Sequence, residues 1–202
     1  MTKCSFFIKK LKRFKQDQSG VAALEFVLIF PLLMLVLLSS VELYGHFRAV
    51  RKISNVTASL ADIVAQSRAL TRAQLTALHP LTESLLAPLD VAGIRYRIAI
   101  VRQGDAGTPP RLSWEFVNGG RNSEGKLEFG GSIYTATKCG KFKNPQGKNF
   151  PPNQDSVFVV VNYTYESIFS NIIDGPTEYE EDMISIPRLG NTVTLSDVTP
   201  CV

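Results

Sequence analysis

Glu25 is the reactive group that stands out most in this sequence. It is the only charge in the 21 residues Val21–Val41, VAALEFVLIFPLLMLVLLSSV. A carboxylate near the centre of a bilayer costs about 2.5–3.5 kcal/mol or more. Near the boundary the cost falls, and the side chain can snorkel to water; otherwise it needs a cationic partner. Gly20 precedes the run and Pro31 interrupts it. Elsewhere the residues able to do chemistry do not assemble into a site. His46 and His79 are the only histidines, and no Cys or His spacing matches a metal centre. Gly119-Gly120 and Gly130-Gly131 suit turns better than a phosphate loop. Glu178, Glu180, Glu181 and Asp182 offer oxygen ligands for calcium without the spaced loop of such a site, and read as a solvated acidic surface. Asn55-Val56-Thr57 and Asn162-Tyr163-Thr164 match the glycosylation sequon, a pattern common by chance. No enzyme, cofactor, metal or small-molecule substrate is expected.

The apolar run is long enough to cross a bilayer as a helix, which takes about 20 residues. It exceeds the roughly 7–15 apolar residues of a secretory signal, and no small-x-small cleavage site follows it. Residues 1–20 carry Lys3, Lys9, Lys10, Lys12, Arg13 and Lys15 against Asp17 alone, while the remainder is close to neutral. The basic character therefore belongs to the tail, and the body shows no nucleic-acid-binding surface. Positive charge stays on the cytoplasmic side, which puts the N-terminus inside and the chain after about residue 45 outside. Leu43, Phe47, Val50, Ile53, Val56, Leu60, Ile63 and Val64 continue at helical spacing. One helix from about Ala22 to Ala69 is expected, apolar all round and then amphipathic, bent at Pro31.

The stretch Gln18-Ser19-Gly20-Val21-Ala22-Ala23-Leu24-Glu25-Phe26 resembles a type IV prepilin cleavage site. The longer run from Gly20 through Pro31 to Leu33, with Val41-Glu42-Leu43-Tyr44 and Arg51-Lys52-Ile53-Ser54-Asn55, is similar to the TadE-like family. These are minor pseudopilins of the tight-adherence (Tad, or Flp) pilus system; TadE and its sibling TadF share the pattern. The likeness covers about residues 17–65. It implies that a prepilin peptidase cuts between Gly20 and Val21, and glycine before the cut offers no side chain and little helical commitment. It implies further that Glu25, the fifth mature residue, pairs with the new amine of Val21 or of a neighbouring subunit. Glu25, Phe26 and Pro31 are then subunit-packing residues. The implied partners are other pilus subunits and pseudopilins, the peptidase and inner-membrane lipid. The chain would be single-pass in a bacterial inner membrane, its C-terminal domain periplasmic, and would help assemble a pilus. The competing reading is an uncleaved bitopic envelope protein with a partner-binding domain.

The organisation expected is a leader over 1–20, a transmembrane segment over 21–45, an amphipathic continuation over 46–70 and a periplasmic α+β domain over 71–202. Thr71 with Gln74 forms a capping box for a helix to about Ala87 that Pro80 bends or splits. Period-two alternation marks strands at Ile94–Ile100 and Leu112–Phe116. Ser156–Glu166, apolar on both faces, reads as a central strand, and Asn118–Pro152 as mostly loop. Ile184–Pro187 and Thr192–Leu195 form a final edge pair. A helix on a small antiparallel sheet results. In an oxidising compartment Cys139 and Cys201, the only cysteines beyond the leader, would form a disulfide, worth about 4 kcal/mol on the chain-entropy account.

Overall fold

The computed structural model describes residues 20–90, 93–105, 108–118, 127–129, 132–134, 142, 149–167 and 175–196. The chain divides into two compact units, residues 1–44 and 45–202. Cys139, Cys201 and the basic residues before Gly20 lie outside the described residues.

In the first unit the described residues begin helix α1 (Val21–Ala65). Leu24 N–H donates to Gly20 O at 3.1 Å, opening the helix at Gly20. Every residue from Val21 to Val41 is exposed. α1 runs on through Pro31, as helices in lipid tolerate where the freed carbonyl finds another donor. Phe26 and Phe30 sit one turn apart with ring centroids 5.5 Å apart. Among the described residues α1 is the one helix long and apolar enough, by length and composition, to cross a membrane.

The second unit is an α+β body. After α1 come β1 (Ala69–Leu70), α2 (Arg72–Leu86), β2 (Ile94–Arg102), β3 (Arg111–Asn118), β4 (Leu127–Phe129), β5 (Ser132–Tyr134), β6 (Asp155–Tyr165), β7 (Thr177–Ser185) and β8 (Thr194–Leu195). The main sheet has the order β3-β2-β6-β7, antiparallel throughout. β6 is central because both its faces are apolar. Val157, Val159, Val161 and Tyr163 join the larger core cluster, while Phe158 and Val160 join a second cluster with Phe142 and Phe150.

The larger cluster takes its helical half from α1 and α2. Ala49, Ile53, Val56, Leu60 and Val64 recur at steps of four, three, four and four and are buried with Leu75 and Leu86. Burying each large side chain is worth about 1.5–3 kcal/mol. This row is rotated from the stripe expected over residues 43–64. Phe47 is 61% exposed and Val50 39%, whereas Ala49, Thr57 and Ala61 are buried. Small residues let the helix approach the sheet closely. Thr57 satisfies its own hydroxyl on Ile53 O at 2.9 Å.

The Thr71–Gln74 capping box forms as expected, with Gln74 N–H donating to Thr71 Oγ1 at 3.2 Å and Thr71 N–H to Gln74 Oε1 at 2.9 Å. Pro80 does not split α2, which stays continuous to Leu86. The expected edge pair of Ile184–Pro187 with Thr192–Leu195 is replaced. Residues up to Ser185 belong to β7 and pair with β6, and β8 pairs in parallel with β1, Leu70 opposite Leu195. The acidic stretch Glu178–Asp182, read as a solvated acidic surface, lies within β7, an edge strand whose charges discourage pairing with another edge. Leu127–Phe129 and Ser132–Tyr134 form a short hairpin inside the segment expected to be loop.

Candidate functional site

Gly20 and Val21 stand at the mouth of α1, both exposed. A Cβ built on Gly20 would meet nothing within 4 Å, and its φ lies outside the left-handed range. Neither space nor backbone in the folded chain therefore requires glycine there. Glu25, Phe26 and Pro31 follow within three turns, on exposed helix surface. Phe26 packs on Phe30 of its own helix. These sequence-derived residues share one short stretch, and among the described residues no second side chain converges on Gly20 to build a catalytic arrangement.

Three polar arrangements in the body join different elements. His46 Nδ1 shares a short hydrogen bond with the Tyr179 hydroxyl, and the His46 ring meets Tyr165 edge-on at 4.9 Å. His79, in α2, bonds Asn118 at 2.8 Å and lies 3.5 Å from Glu83. Burial pushes the pKa of the neighbouring Tyr96 hydroxyl up to about 12, and the nearby Asn118 amide acts in the opposite direction. Arg97 and Glu115 form a buried ion pair at 2.8 Å across β2 and β3, with Phe142 under the guanidinium. Each arrangement ties one element to another.

A cleft of about 500 Å³ opens beside the end of β6, lined by Leu89, Asp90, Gly93, Tyr163, Tyr165 and Glu166 among others. Gly93 forms its wall by close backbone approach. Thr164 N–H donates to Gly93 O at 3.1 Å, and a Cβ on Gly93 would sit 2.7 Å from Thr164 O. Burial raises the Tyr163 hydroxyl pKa, and the nearby Asp90, Tyr165 and Glu166 add to the rise. The cleft draws on two stretches far apart in sequence, 88–93 and 163–166, so no linear motif announces it. Asp155 is also raised by burial, opposed by Arg102 3.0 Å away. Among the described residues no group of three or more His, Cys, Asp or Glu side chains is placed to hold a metal.

Comparison with known proteins places the informative stretch where the sequence places it. The family model described as TadE-like protein matches residues 20–61. No curated protein and no solved structure matches the chain. The matched segment lies within α1 (Val21–Ala65) apart from Gly20. The likeness is confined to residues 20–61, and a TadE-like segment on a helix of membrane-spanning length fits a membrane protein associated with the Tad pilus.

Proposed function

We propose that the chain is a minor pseudopilin that takes part in assembling a Tad/Flp-type pilus and has no catalytic activity of its own. It is inserted once in the inner membrane with the N-terminus cytoplasmic and the body periplasmic. A prepilin peptidase cuts between Gly20 and Val21. The observation that carries the reading is the order Gly20, Val21, Glu25, Phe26, Pro31 at the head of an apolar helix, inside the TadE-like segment. Cutting at Gly20 turns Val21 into a cationic amine. In lipid that amine and the Glu25 carboxylate are each costly alone and much less so together. Packing subunits side by side brings the amine of one to the carboxylate of another, and Phe26 and Pro31 shape the same surface.

The experiment separates cutting from packing. Gly20→Leu is sterically free in the folded chain, with nothing within 4 Å of the new Cβ. Blocked processing would therefore report on the peptidase and not on misfolding. Glu25→Ala makes the helix more apolar, so insertion is retained while pilus assembly falls. The readouts are the N-terminal residue of the membrane-recovered protein and the number of pili per cell. A mature protein that begins at Met1 in piliated cells, or normal piliation with Glu25→Ala, leaves only an uncleaved bitopic protein with a periplasmic domain.

A further inference from the structure

The body grips α1 from one side only. Ala49, Ile53 and Val56 are buried in its larger core cluster. On the same turns Phe47 is 61% exposed and Val50 39%, and Arg48 and Arg51 are exposed with them. At 3.6 residues per turn these four side chains fall within an arc of about 160°, centred opposite the buried row. Neither arginine has an ion pair among the described residues. Lys52, the cation on the body's side of the arc, is held by Leu85 O at 3.1 Å. The exposed arc therefore combines an aromatic ring, an aliphatic side chain and two guanidiniums that the fold does not use. Phe47 is also the sixth residue after Val41, where the apolar run ends. The covalent chain alone holds it within roughly 20 Å of that point, and six residues of helix advance about 9 Å.

We propose that this arc lies in the headgroup layer of the membrane, with Phe47 and Val50 at the acyl boundary and Arg48 and Arg51 on lipid phosphates. Lipid contact then extends past residue 45 into the first turns of the body. A phospholipid surface supplies both chemistries that the arc presents, apolar chains and anionic oxygens, in one layer roughly 5–8 Å thick. A guanidinium is a planar fork of donors that matches a phosphate. Its long stem lies along apolar surface while the charged head stays in the polar layer. An apolar face bordered by arginines is the pattern of helices that rest in a membrane interface. A second copy of the body is a poorer occupant, because carboxylates that could meet the arginines are engaged at home, Glu178 with Arg95 and Asp62 with Arg188. The proposal rests on the membrane anchoring in the proposed function and is independent of cleavage at Gly20.

The test places a reporter on the arc of the full-length chain by Phe47→Trp and reconstitutes it in vesicles of phosphatidylcholine and phosphatidylglycerol. The lipids carry bromine, a fluorescence quencher, on acyl carbons near the headgroup in one sample and none in the other. Trp114 is 4% exposed in the body, so the unaltered chain supplies its background. Brominated lipid should quench most of the added emission. Arg48→Glu with Arg51→Glu in the same chain should cut that quenching about threefold, since cations near an anionic surface hold the segment there. Arg48→Gln with Arg51→Gln, which removes the charge without reversing it, should cut it by less. No quenching, with the added indole emitting as it does in water, overturns the proposal. So does blue-shifted emission that lipid does not quench and that fades as the chain is diluted in lipid, which means that a second copy covers the arc. Quenching that survives the arginine reversal unchanged overturns the phosphate contact. Alkaline extraction of the same vesicles checks the anchor. Release of the chain would overturn the anchoring and this contact with it, whereas retention without quenching overturns the contact alone.

Discussion

Replacing Leu60 by Ala tests whether the second half of α1 is part of the body. Leu60 is wholly buried and belongs to the cluster that also holds Ile53, Val56, Val159 and Trp114. Removing a fully packed leucine leaves a cavity and costs about 2–5 kcal/mol. For a domain of about 150–250 residues, 1 kcal/mol moves the melting temperature by about 2–4 °C, so a cost near 3 kcal/mol lowers it by about 6–12 °C. The reporter is built in. Trp114 is the sole tryptophan, 4% exposed, and its indole N–H donates to Val193 O at 2.8 Å. Its fluorescence during thermal unfolding of the full chain in detergent therefore follows the body alone. Leu35→Ala is the control, because Leu35 is 62% exposed within the apolar run, and it should leave the Trp114 transition in place. A Leu60→Ala transition within about 2 °C of the unaltered chain would refute the packing. It would mean that α1 is a tether and not a core element.

Thr71→Ala removes one half of the reciprocal capping pair with Gln74 at the start of α2. It should cost about 1 kcal/mol, seen as a lower urea midpoint followed by Trp114; an unchanged midpoint would mean that tertiary packing alone sets the helix start. Asp155→Asn probes a buried carboxylate whose folded pKa is raised by burial against the opposing Arg102. A raised folded pKa gives stability that is present below the unfolded value near 3.9 and lost as pH rises through the folded value. The variant should therefore have a higher urea midpoint than the unaltered chain at pH 7 and a smaller gain on acidification. A lower midpoint at pH 7 would show that the Arg102 pairing outweighs burial.

The elements that sequence reasoning located are those whose own residues dictate them. β6 carries apolar residues on both faces, which only a central strand can bury. The start of α2 is written in Thr71 and Gln74, which satisfy each other's backbone groups locally. β7 was not legible, because TEYEEDMIS has no clean alternation. An edge strand faces solvent on one side, and its identity comes from full-length pairing with β6. The α1 stripe was misphased for a related reason. Hydrophobic spacing selects the largest side chains, Phe47 and Val50 among them, whereas close approach to the sheet selects Ala49, Thr57 and Ala61.

The same distinction separates the two candidate sites. Gly20 meets no neighbour, and Glu25 is exposed on its helix. On the proposed function the constraint on these residues comes from molecules outside the folded chain, and residues read by an outside molecule keep their meaning in linear order. The Asp90–Tyr163–Glu166 cleft exists because Gly93 lets one strand end lie against another, with Thr164 N–H bonded to Gly93 O. Its chemistry has no linear order to read. Substitutions at Gly20 and Glu25 should therefore leave the Trp114 melting transition untouched while changing processing or assembly. A bulky side chain at Gly93 should move that transition and open the cleft together.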